Sequence, residues 1–251
     1  AEMDSMMLGA HYTRSYQYRY LNQVYKISSQ GSARQYFYDS SFGQYNPQFD
    51  VIGPVTISNN MEYYGQNDNR GYDKYAGTMV KEACLVADTA YDIDFSQYDN
   101  NKDGKVDFVY IIYAGYGEAD SYIENTIWPH AYKLSYDKIN VMIDGKKIDS
   151  YACGNEINYM SKLHDGIGTF CHEFSHVLGL PDIDPTNGDT YRTHASWDVM
   201  DYGPYNNDSN TPPSYSSYER FFMGWLTPIQ LTDTGTYVLS ELLSSNQAYL
   251  V

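Results

Sequence analysis

The sequence is short of positive charge and of long apolar runs, and both shortages exclude classes of function. Lysine and arginine total 16 against 32 aspartate and glutamate residues, a net charge of −16. This balance opposes binding to nucleic acid or anionic lipid, because both need clustered positive side chains. No apolar stretch approaches the roughly 20 residues that a membrane-spanning helix needs. The first ten residues lack the basic flank and apolar centre of a signal peptide, so we expect any export signal to lie outside this sequence.

Cysteine is also scarce. The three cysteines are Cys84, Cys153 and Cys171, and they cannot all pair with one another. Their spacing fits neither a zinc ribbon nor a thioredoxin-type motif. One disulfide plus one buried thiol is compatible with export without establishing it. The pairing stays open, with Cys171 either packed in the core or bonded to Cys153.

What the chain does have is enough apolar material for a large core. Hydrophobic residues make up 42% of the 251 residues and aromatic residues 16%, with 29 tyrosines. A chain of this length forms one large domain or two small ones. We find no internal repeat, and no linker rich in glycine, serine or proline separates two full domains.

Hydrophobic periodicity predicts three helices. Apolar residues recur at helical spacing over residues 73–90 and 166–178, and residues 214–225 form a third candidate. Gly179, followed two residues later by a proline, predicts the end of the second helix. The polar stretch 182–211 that follows has no periodicity, and loops of this length in a compact domain are usually functional.

Several shorter segments have the character of strands. The dense apolar run DFVYIIY at residues 107–113 predicts a buried strand. Residues 127–134 form a weaker candidate whose Pro129 suits an edge position, because proline has no N–H to donate. The remaining strand candidates are residues 49–57, 148–153 and 231–251.

The second predicted helix contains the pentad His172-Glu173-Phe174-Ser175-His176, an HExxH motif. Residues four apart lie on one helix face, so the two imidazoles can bind one zinc ion while Glu173 projects beside them towards a metal-bound water. Glu173 is then the expected catalytic base, which takes the proton of that water as it attacks a carbonyl group.

Gly179 and Asp182, which follow the pentad, complete the expected zinc site. Gly179 can adopt the left-handed conformation that ends the helix and reverses the chain, which brings Asp182 back as a third ligand. Three protein ligands leave a fourth position for water, as in catalytic zinc sites. An HExxH pentad arises by chance in roughly one chain in 200 of this composition, and adding both residues lowers this to a few in 100,000. The implied reaction is hydrolysis of an amide bond.

The pattern HExxHxxGxxD, followed after His176 by SWDVMDYG at residues 196–203, resembles the metzincin clan of zinc endopeptidases. Within that clan it resembles the immune inhibitor A family of secreted bacterial metallopeptidases, which has aspartate where most metzincins place a third histidine. Asp182 matches that aspartate. By the same resemblance Met200 forms a hydrophobic floor beneath the zinc, and Tyr202 hydrogen-bonds the tetrahedral oxyanion.

The resemblance runs from about residue 31 to residue 228 and includes GSARQYF, FDVIGPV, the acidic loop before DFVYIIYAGYGE, IWPH and GWLTP. The aliphatic first strand usual in the family has no counterpart in residues 1–25. The chain ends in what resembles a shortened β segment. We therefore expect a fragment without its prosegment and C-terminal modules. Residues 1–230 are expected to form the catalytic domain, divided near residue 180 into an N-terminal part and a C-terminal subdomain, and residues 231–251 to begin the β segment.

A second candidate metal site lies in the acidic segment DNNKDGKVD. The expected calcium ligands are the side chains of Asp99, Asn101, Asp103 and Asp107 and the backbone carbonyl of Lys105. This is calcium spacing, with glycine at position 6, although the glutamate that closes an EF-hand loop is replaced by Tyr110. The alternative is an ordinary Asx and glycine turn that leads into a strand. We expect structural calcium of modest affinity, which suits millimolar extracellular calcium.

Together these features predict an α/β, metzincin-like catalytic domain. It is expected to have a twisted, mostly parallel sheet with an antiparallel edge strand, an active-site helix, and an irregular C-terminal subdomain with a third helix. We expect a monomeric zinc endopeptidase, secreted or at the cell surface of a bacterium, that binds protein or peptide substrates extended along the edge strand. The cleft is expected between that strand and the loop carrying Met200.

Two alternatives remain at this stage. The first is a zinc protease of another clan, in which Glu219 replaces Asp182 as the third ligand. The second is a calcium-dependent binding module whose active site is dead. The intact Glu173 argues against the second, because a module without activity has no reason to keep the base.

Overall fold

The computed structural model describes the backbone of residues 6–7, 13–20, 23–183 and 193–251, and the side chains of residues 6–7, 31–183 and 193–251. The chain divides into two compact units, which are Ala1–Asp50 with Gly166–Val251, and Val51–Asp165. The expected subdivision near residue 180 stays a prediction. Residues 184–192, in the middle of the expected functional loop, lie outside the described residues.

The helices of the described residues are α1 Ala33–Ser40, α2 Met61–Tyr64, α3 Ala76–Tyr91, α4 Glu118–Ser121, α5 Gly168–Val177 and α6 Ser217–Phe222. The strands are β1 Thr13–Tyr20, β2 Gln23–Gln30, β3 Val109–Tyr113, β4 His130–Lys133, β5 Val141–Ile143, β6 Lys146–Ile148, β7 Ser150–Asn155, β8 Ile229–Gln230 and β9 Tyr249–Leu250. Single 3-10 turns lie at Phe95–Tyr98, Leu134–Asp137, Ala195–Trp197 and Gly203–Tyr205.

The three predicted helices are confirmed as α3, α5 and α6, each beginning two or three residues later than expected. For α6 the reason is a capping box: the Ser216 hydroxyl accepts from the Glu219 N–H, and the Glu219 carboxylate accepts from the Ser216 N–H. This arrangement satisfies two N–H groups that the first turn of a helix otherwise leaves unpaired. It places the helix start one residue after the serine.

The unit of residues 51–165 is built on a three-stranded sheet with strand order β3-β7-β4. The sheet is mixed, because β3 runs parallel to β7 and β4 runs antiparallel to it. β4 is an antiparallel edge strand, as expected, but it begins after Pro129 rather than including it. The core of this unit joins one face of α3 to the sheet. It contains Met79, Val80, Cys84, Phe95, Val106, Tyr113, Ile127, Leu134, Ile148, Tyr151 and Cys153.

Two strand predictions were wrong, and one hairpin was not predicted. Residues 49–57 form no strand, since Gly53 has a φ of 130° and Pro54 has no N–H to donate to a ladder. Residues 231–248 also form no strand. The two-residue strands β8 and β9, which flank them, pair in parallel. The antiparallel hairpin of β1 and β2 was missed although the tyrosines of β1 alternate with polar residues, which is the period of a strand.

The unit of residues 1–50 and 166–251 buries one face of α5. The rings of Phe37 and Phe174 meet edge to face at 5.0 Å, and those of Phe49 and Phe170 at 5.2 Å. Cys171 lies on the same buried face. All three cysteines of the chain are free thiols, so Cys171 contributes to packing. No helix among the described residues has the length and apolarity needed to cross a bilayer.

Candidate metal centre

The HExxH pentad lies wholly within α5, so the helix places both histidine rings on one face. The ring centroids of His172 and His176 are 4.6 Å apart, and their Nε2 atoms 3.1 Å apart. The helix then ends as the sequence predicts, with Gly179 at a φ of 107°. The Leu180 N–H turns back to the Ser175 carbonyl at 3.0 Å, and this reversal brings Asp182 to the histidines.

Asp182 completes a triangle of ligand atoms. Its Oδ1 lies 3.3 Å from His172 Nε2 and 3.2 Å from His176 Nε2. Zinc bound tetrahedrally at its usual N and O distances holds neighbouring ligand atoms roughly 3.3 Å apart. The three measured edges therefore match one triangular face of a zinc tetrahedron, and the donor set of two imidazoles and a carboxylate fits that metal.

Backbone carbonyls fix the orientation of both imidazoles. His172 Nδ1 lies 2.8 Å from the Val199 oxygen, and His176 Nδ1 lies 2.8 Å from the Leu180 oxygen. A carbonyl oxygen can only accept, so Nδ1 is protonated in each ring, and in the neutral form of each ring Nε2 is the nitrogen that can offer a lone pair to a metal. Such outer contacts set the tautomer and strengthen a histidine ligand.

The site's negative charge favours a cation. Burial by itself would lower the pKa of His172, but hydrogen bonding to Asp182 and the charge of Glu173 raise that pKa to about 9. Burial acts in the same way on His176, where hydrogen bonding to Asp182 again raises the pKa. Burial would raise the pKa of Asp182, yet the bonds from the two histidines hold it well below its usual value.

Glu173 lies beside the two histidines. Its carboxylate belongs to a group with His172 and His176 whose ligand atoms all lie within 4.8 Å of one another. The residue is only 6% exposed. Position and chemistry suit a general base acting on a water held at the ligand triangle.

Met200 is fully buried in the turn that carries the Val199 carbonyl. We call residues 198–203 the methionine turn. The Met200 carbonyl accepts from the Ile183 N–H at 2.9 Å, which ties the turn to the residue after Asp182. The methionine turn thus hydrogen-bonds both His172 and Ile183, the residue next to Asp182.

Two glycines at the start of α5 let the backbone following the methionine turn approach closely. A Cβ at Gly168 would lie 2.0 Å from the Pro204 oxygen, and one at Gly166 would lie 1.9 Å from the Ser209 oxygen. The Gly168 N–H donates to that Ser209 oxygen at 2.8 Å. Only glycine permits such backbone contacts without displacement.

Tyr202 and Glu219 are placed differently from the two ligand histidines. Tyr202 is 59% exposed, and its hydroxyl makes no hydrogen bond with the described part of the chain. The Glu219 carboxylate caps α6 and neighbours Asp198. It is Asp182, and not Glu219, whose carboxylate meets both histidines.

The loop of residues 99–107 uses its oxygens internally. Asp99 accepts from the Asp103 and Gly104 N–H groups and pairs with the Lys146 ammonium at 2.6 Å. Asn101 accepts from Asp103 at 2.9 Å. The Asp103 carboxylate accepts from the Lys105 N–H, and that of Asp107 from Asn100. Among the described residues, the loop's carboxylates form no cluster of ligand atoms like the one at His172, Glu173 and His176, so they do not converge.

Sequence reasoning missed the part that Asp198 and the Val199 carbonyl take in this arrangement. The signal was present, since aspartate two residues before Met200 is the ordinary start of an Asx turn. Asp198 Oδ1 accepts from the Met200 N–H at 2.8 Å.

Comparison with known proteins finds a matching family and two similar metallopeptidases. The family model described as immune inhibitor A peptidase M6, catalytic domain, matches residues 1–226. The chain is 28% identical over 218 residues to Immune inhibitor A of Bacillus thuringiensis subsp. alesti, a match that covers 75% of this chain and 31% of that protein. It is 27% identical over 242 residues to the pre-pro-metalloprotease PrtV of Vibrio cholerae serotype O1 strain M66-2, covering 86% of this chain and 25% of the relative. The chain thus spans about a quarter to a third of the length of these relatives.

Proposed function

Because the chain belongs to the immune inhibitor A peptidase M6 family, we propose that it is a zinc-dependent endopeptidase that hydrolyses internal peptide bonds of proteins. The observation that supports this most is the ligand triangle, with edges of 3.1, 3.2 and 3.3 Å between the two Nε2 atoms and Asp182 Oδ1. These separations fit one face of a zinc tetrahedron and leave the opposite corner for water.

In this proposal His172, His176 and Asp182 hold the zinc, and Glu173 moves the protons. Bound zinc acidifies water to a pKa of about 7 and polarises the carbonyl group of the scissile bond. Glu173 accepts a proton from the attacking water and returns it to the nitrogen of the leaving amine.

Three further residues or groups complete the proposal. Met200 packs beneath the metal through its apolar side chain. Tyr202 donates its hydroxyl hydrogen to the oxyanion once substrate is bound, and its exposure leaves the ring free to turn. An extended peptide pairs its backbone with β4, which is the edge strand of the three-stranded sheet in the described part of the chain.

We also propose structural calcium at the loop of residues 99–107, although Lys146 already neutralises Asp99 there. One relative is named as a pre-pro-metalloprotease, and this supports the proposal that the chain is made as a precursor and exported from a bacterial cell. We propose that the mature chain acts as a monomer.

The test combines metal analysis with one substitution. Purified chain is expected to contain about one zinc per molecule, to cleave casein, and to lose that activity with a chelator and regain it with zinc. Glu173→Gln should retain zinc yet lose about 100-fold or more of kcat/KM, because it removes the base but no ligand. Asp182→Asn is the matched comparison and should lose zinc itself.

The same experiment separates the proposal from the inactive binding module. Equal casein cleavage by wild type and Glu173→Gln, or a zinc-loaded wild type that leaves unfolded proteins intact, would refute the endopeptidase. Loss of zinc in a Glu219→Gln variant, with zinc kept in Asp182→Asn, would instead identify Glu219 as the ligand. The geometry around Asp182 argues for the opposite outcome.

A further inference from the structure

One peptide group in the methionine turn connects a buried carboxylate to a candidate zinc ligand. The C=O of the Val199–Met200 peptide accepts from His172 Nδ1 at 2.8 Å. The N–H of the same peptide donates to Asp198 Oδ1 at 2.8 Å. Asp198, the peptide and His172 therefore form one continuous hydrogen-bonded chain.

We propose that Asp198 is a positioning residue for zinc, whose negative charge acts through the Val199–Met200 peptide to orient His172 and to strengthen it as a ligand. This rests on the proposed zinc site. An anion at the N–H end of a peptide increases the negative charge on its carbonyl oxygen, and hydrogen bonds in series reinforce one another. A stronger acceptor at Nδ1 makes Nε2 a better electron donor to the metal.

Burial makes this connection effective. Asp198 is 1% exposed, and Val199 and Met200 are fully buried. Water therefore does not screen the charge or compete for the two hydrogen bonds. The arrangement resembles a carboxylate, histidine and metal triad, with a backbone peptide inserted between the carboxylate and the histidine.

The surroundings of Asp198 keep its charge in place. Its Oδ2 pairs with His194 Nδ1 at 2.9 Å. The neighbouring Glu219 is fully buried, and its Oε1 has no hydrogen-bond partner other than that carboxyl group. Burial, and next the neighbouring Asp198 carboxylate, raise the pKa of Glu219 to about 8, so Glu219 favours its neutral form beside Asp198.

Asp198→Asn is the direct test, because asparagine keeps an oxygen that can accept from the Met200 N–H but carries no charge. Asp201→Asn is the matched control. Asp201 is a buried aspartate of the same turn that also accepts a backbone N–H, from Ala195, but it has no bond to the Val199–Met200 peptide. Zinc affinity is measured by competition with a chromophoric chelator, and melting of the metal-free chain reports on folding.

We expect Asp198→Asn to weaken zinc binding about tenfold. This is the lower end of the loss in metal affinity that follows removal of a residue hydrogen-bonded to a metal ligand, because here one peptide group intervenes. Asp201→Asn should bind zinc within about twofold of wild type. If Asp198→Asn does not fold, Asp198→Ser replaces it, since a serine hydroxyl can accept from the same N–H without charge.

Each outcome decides a separate point. Asp198 variants that bind zinc as tightly as wild type would overturn the inference. Equal losses in the Asp198 and Asp201 variants would also overturn it, because they would reflect general damage to the turn. A wild-type chain that binds no zinc would instead refute the proposed function on which the inference rests.

Discussion

Replacing Gly168 by alanine should weaken the candidate metal centre without altering any ligand. Gly168 starts α5, and its Cβ position lies 2.0 Å from the Pro204 oxygen, 2.9 Å from the Pro204 carbonyl carbon and 3.1 Å from the Ser209 oxygen. All three atoms belong to backbone, which cannot rotate away as a side chain would. The loop that follows the methionine turn must therefore shift.

The size of the effect follows from these distances. Carbon and oxygen atoms rarely approach below about 3.3 Å, so the Pro204 carbonyl must retreat by roughly 1.3 Å. Overpacking of this kind costs about 1–3 kcal/mol, and loss of the bond from the Gly168 N–H to Ser209 adds about 1 kcal/mol. Destabilisation of about 2–4 kcal/mol corresponds to a melting temperature lower by about 5–15 °C in a chain of this size.

The assay is thermal unfolding of the metal-free and zinc-loaded chain, together with the zinc competition measurement. Gly235→Ala is the matched control, since its Cβ would meet only the Tyr237 side chain at 3.4–3.5 Å. That control should be neutral or stabilised by up to about 1 kcal/mol. A Gly168→Ala chain that melts and binds zinc like wild type would refute the close approach of the two backbone segments.

Two further predictions concern buried charge. The pKa of Glu219, raised by burial and by Asp198 to about 8 from an ordinary value of 4.5, means that the folded chain keeps a proton that the unfolded chain releases. Its stabilising contribution is complete below about pH 4.5 and is lost as the pH rises towards 8. Glu219→Gln should therefore flatten the decline in unfolding free energy over this range. The free energy is measured by urea unfolding at pH 5 and at pH 8. An equal change between these two pH values in wild type and variant would contradict the assignment. Lys146→Met removes the ammonium that lies 2.6 Å from Asp99. Without metal, the variant should have a lower melting temperature than wild type, and millimolar calcium should raise its melting temperature by more. If calcium changes the melting temperature of neither chain, a calcium site at this loop is excluded.

Local features of the sequence predicted which side chains meet at the candidate metal centre, whose role as ligands stays a proposal. The pentad and the glycine after it could be interpreted because helical geometry alone puts His172 and His176 on one face, and because a positive φ at Gly179 is a local property. Asp182 followed because it lies only three positions after Gly179. Each step involved neighbours in sequence, where a pattern has a direct geometric meaning.

Contacts between distant residues were not predictable in the same way. The loop of residues 99–107 has calcium spacing, but its first carboxylate meets Lys146, 47 positions away. Asp198 and Glu219 come from different elements, a turn and a helix, and both are acidic residues that a single sequence would assign to the surface. In a single sequence nothing distinguishes these from ordinary exposed residues, because the pairing depends on how the chain folds back.

The close contact at the start of α5 extends the motif itself. Gly168 precedes His172 by four residues, just as His172 precedes His176, so all three lie on one face of the helix. At the first of these positions the absence of a side chain admits the Pro204 and Ser209 carbonyls, and at the second the imidazole bonds the Val199 carbonyl. The same face thus receives the turn's backbone at one end and presents ligand nitrogens at the other. We therefore expect the glycine four residues before the pentad to support the candidate metal site, since a larger residue there would displace the Pro204 and Ser209 carbonyls that follow the methionine turn.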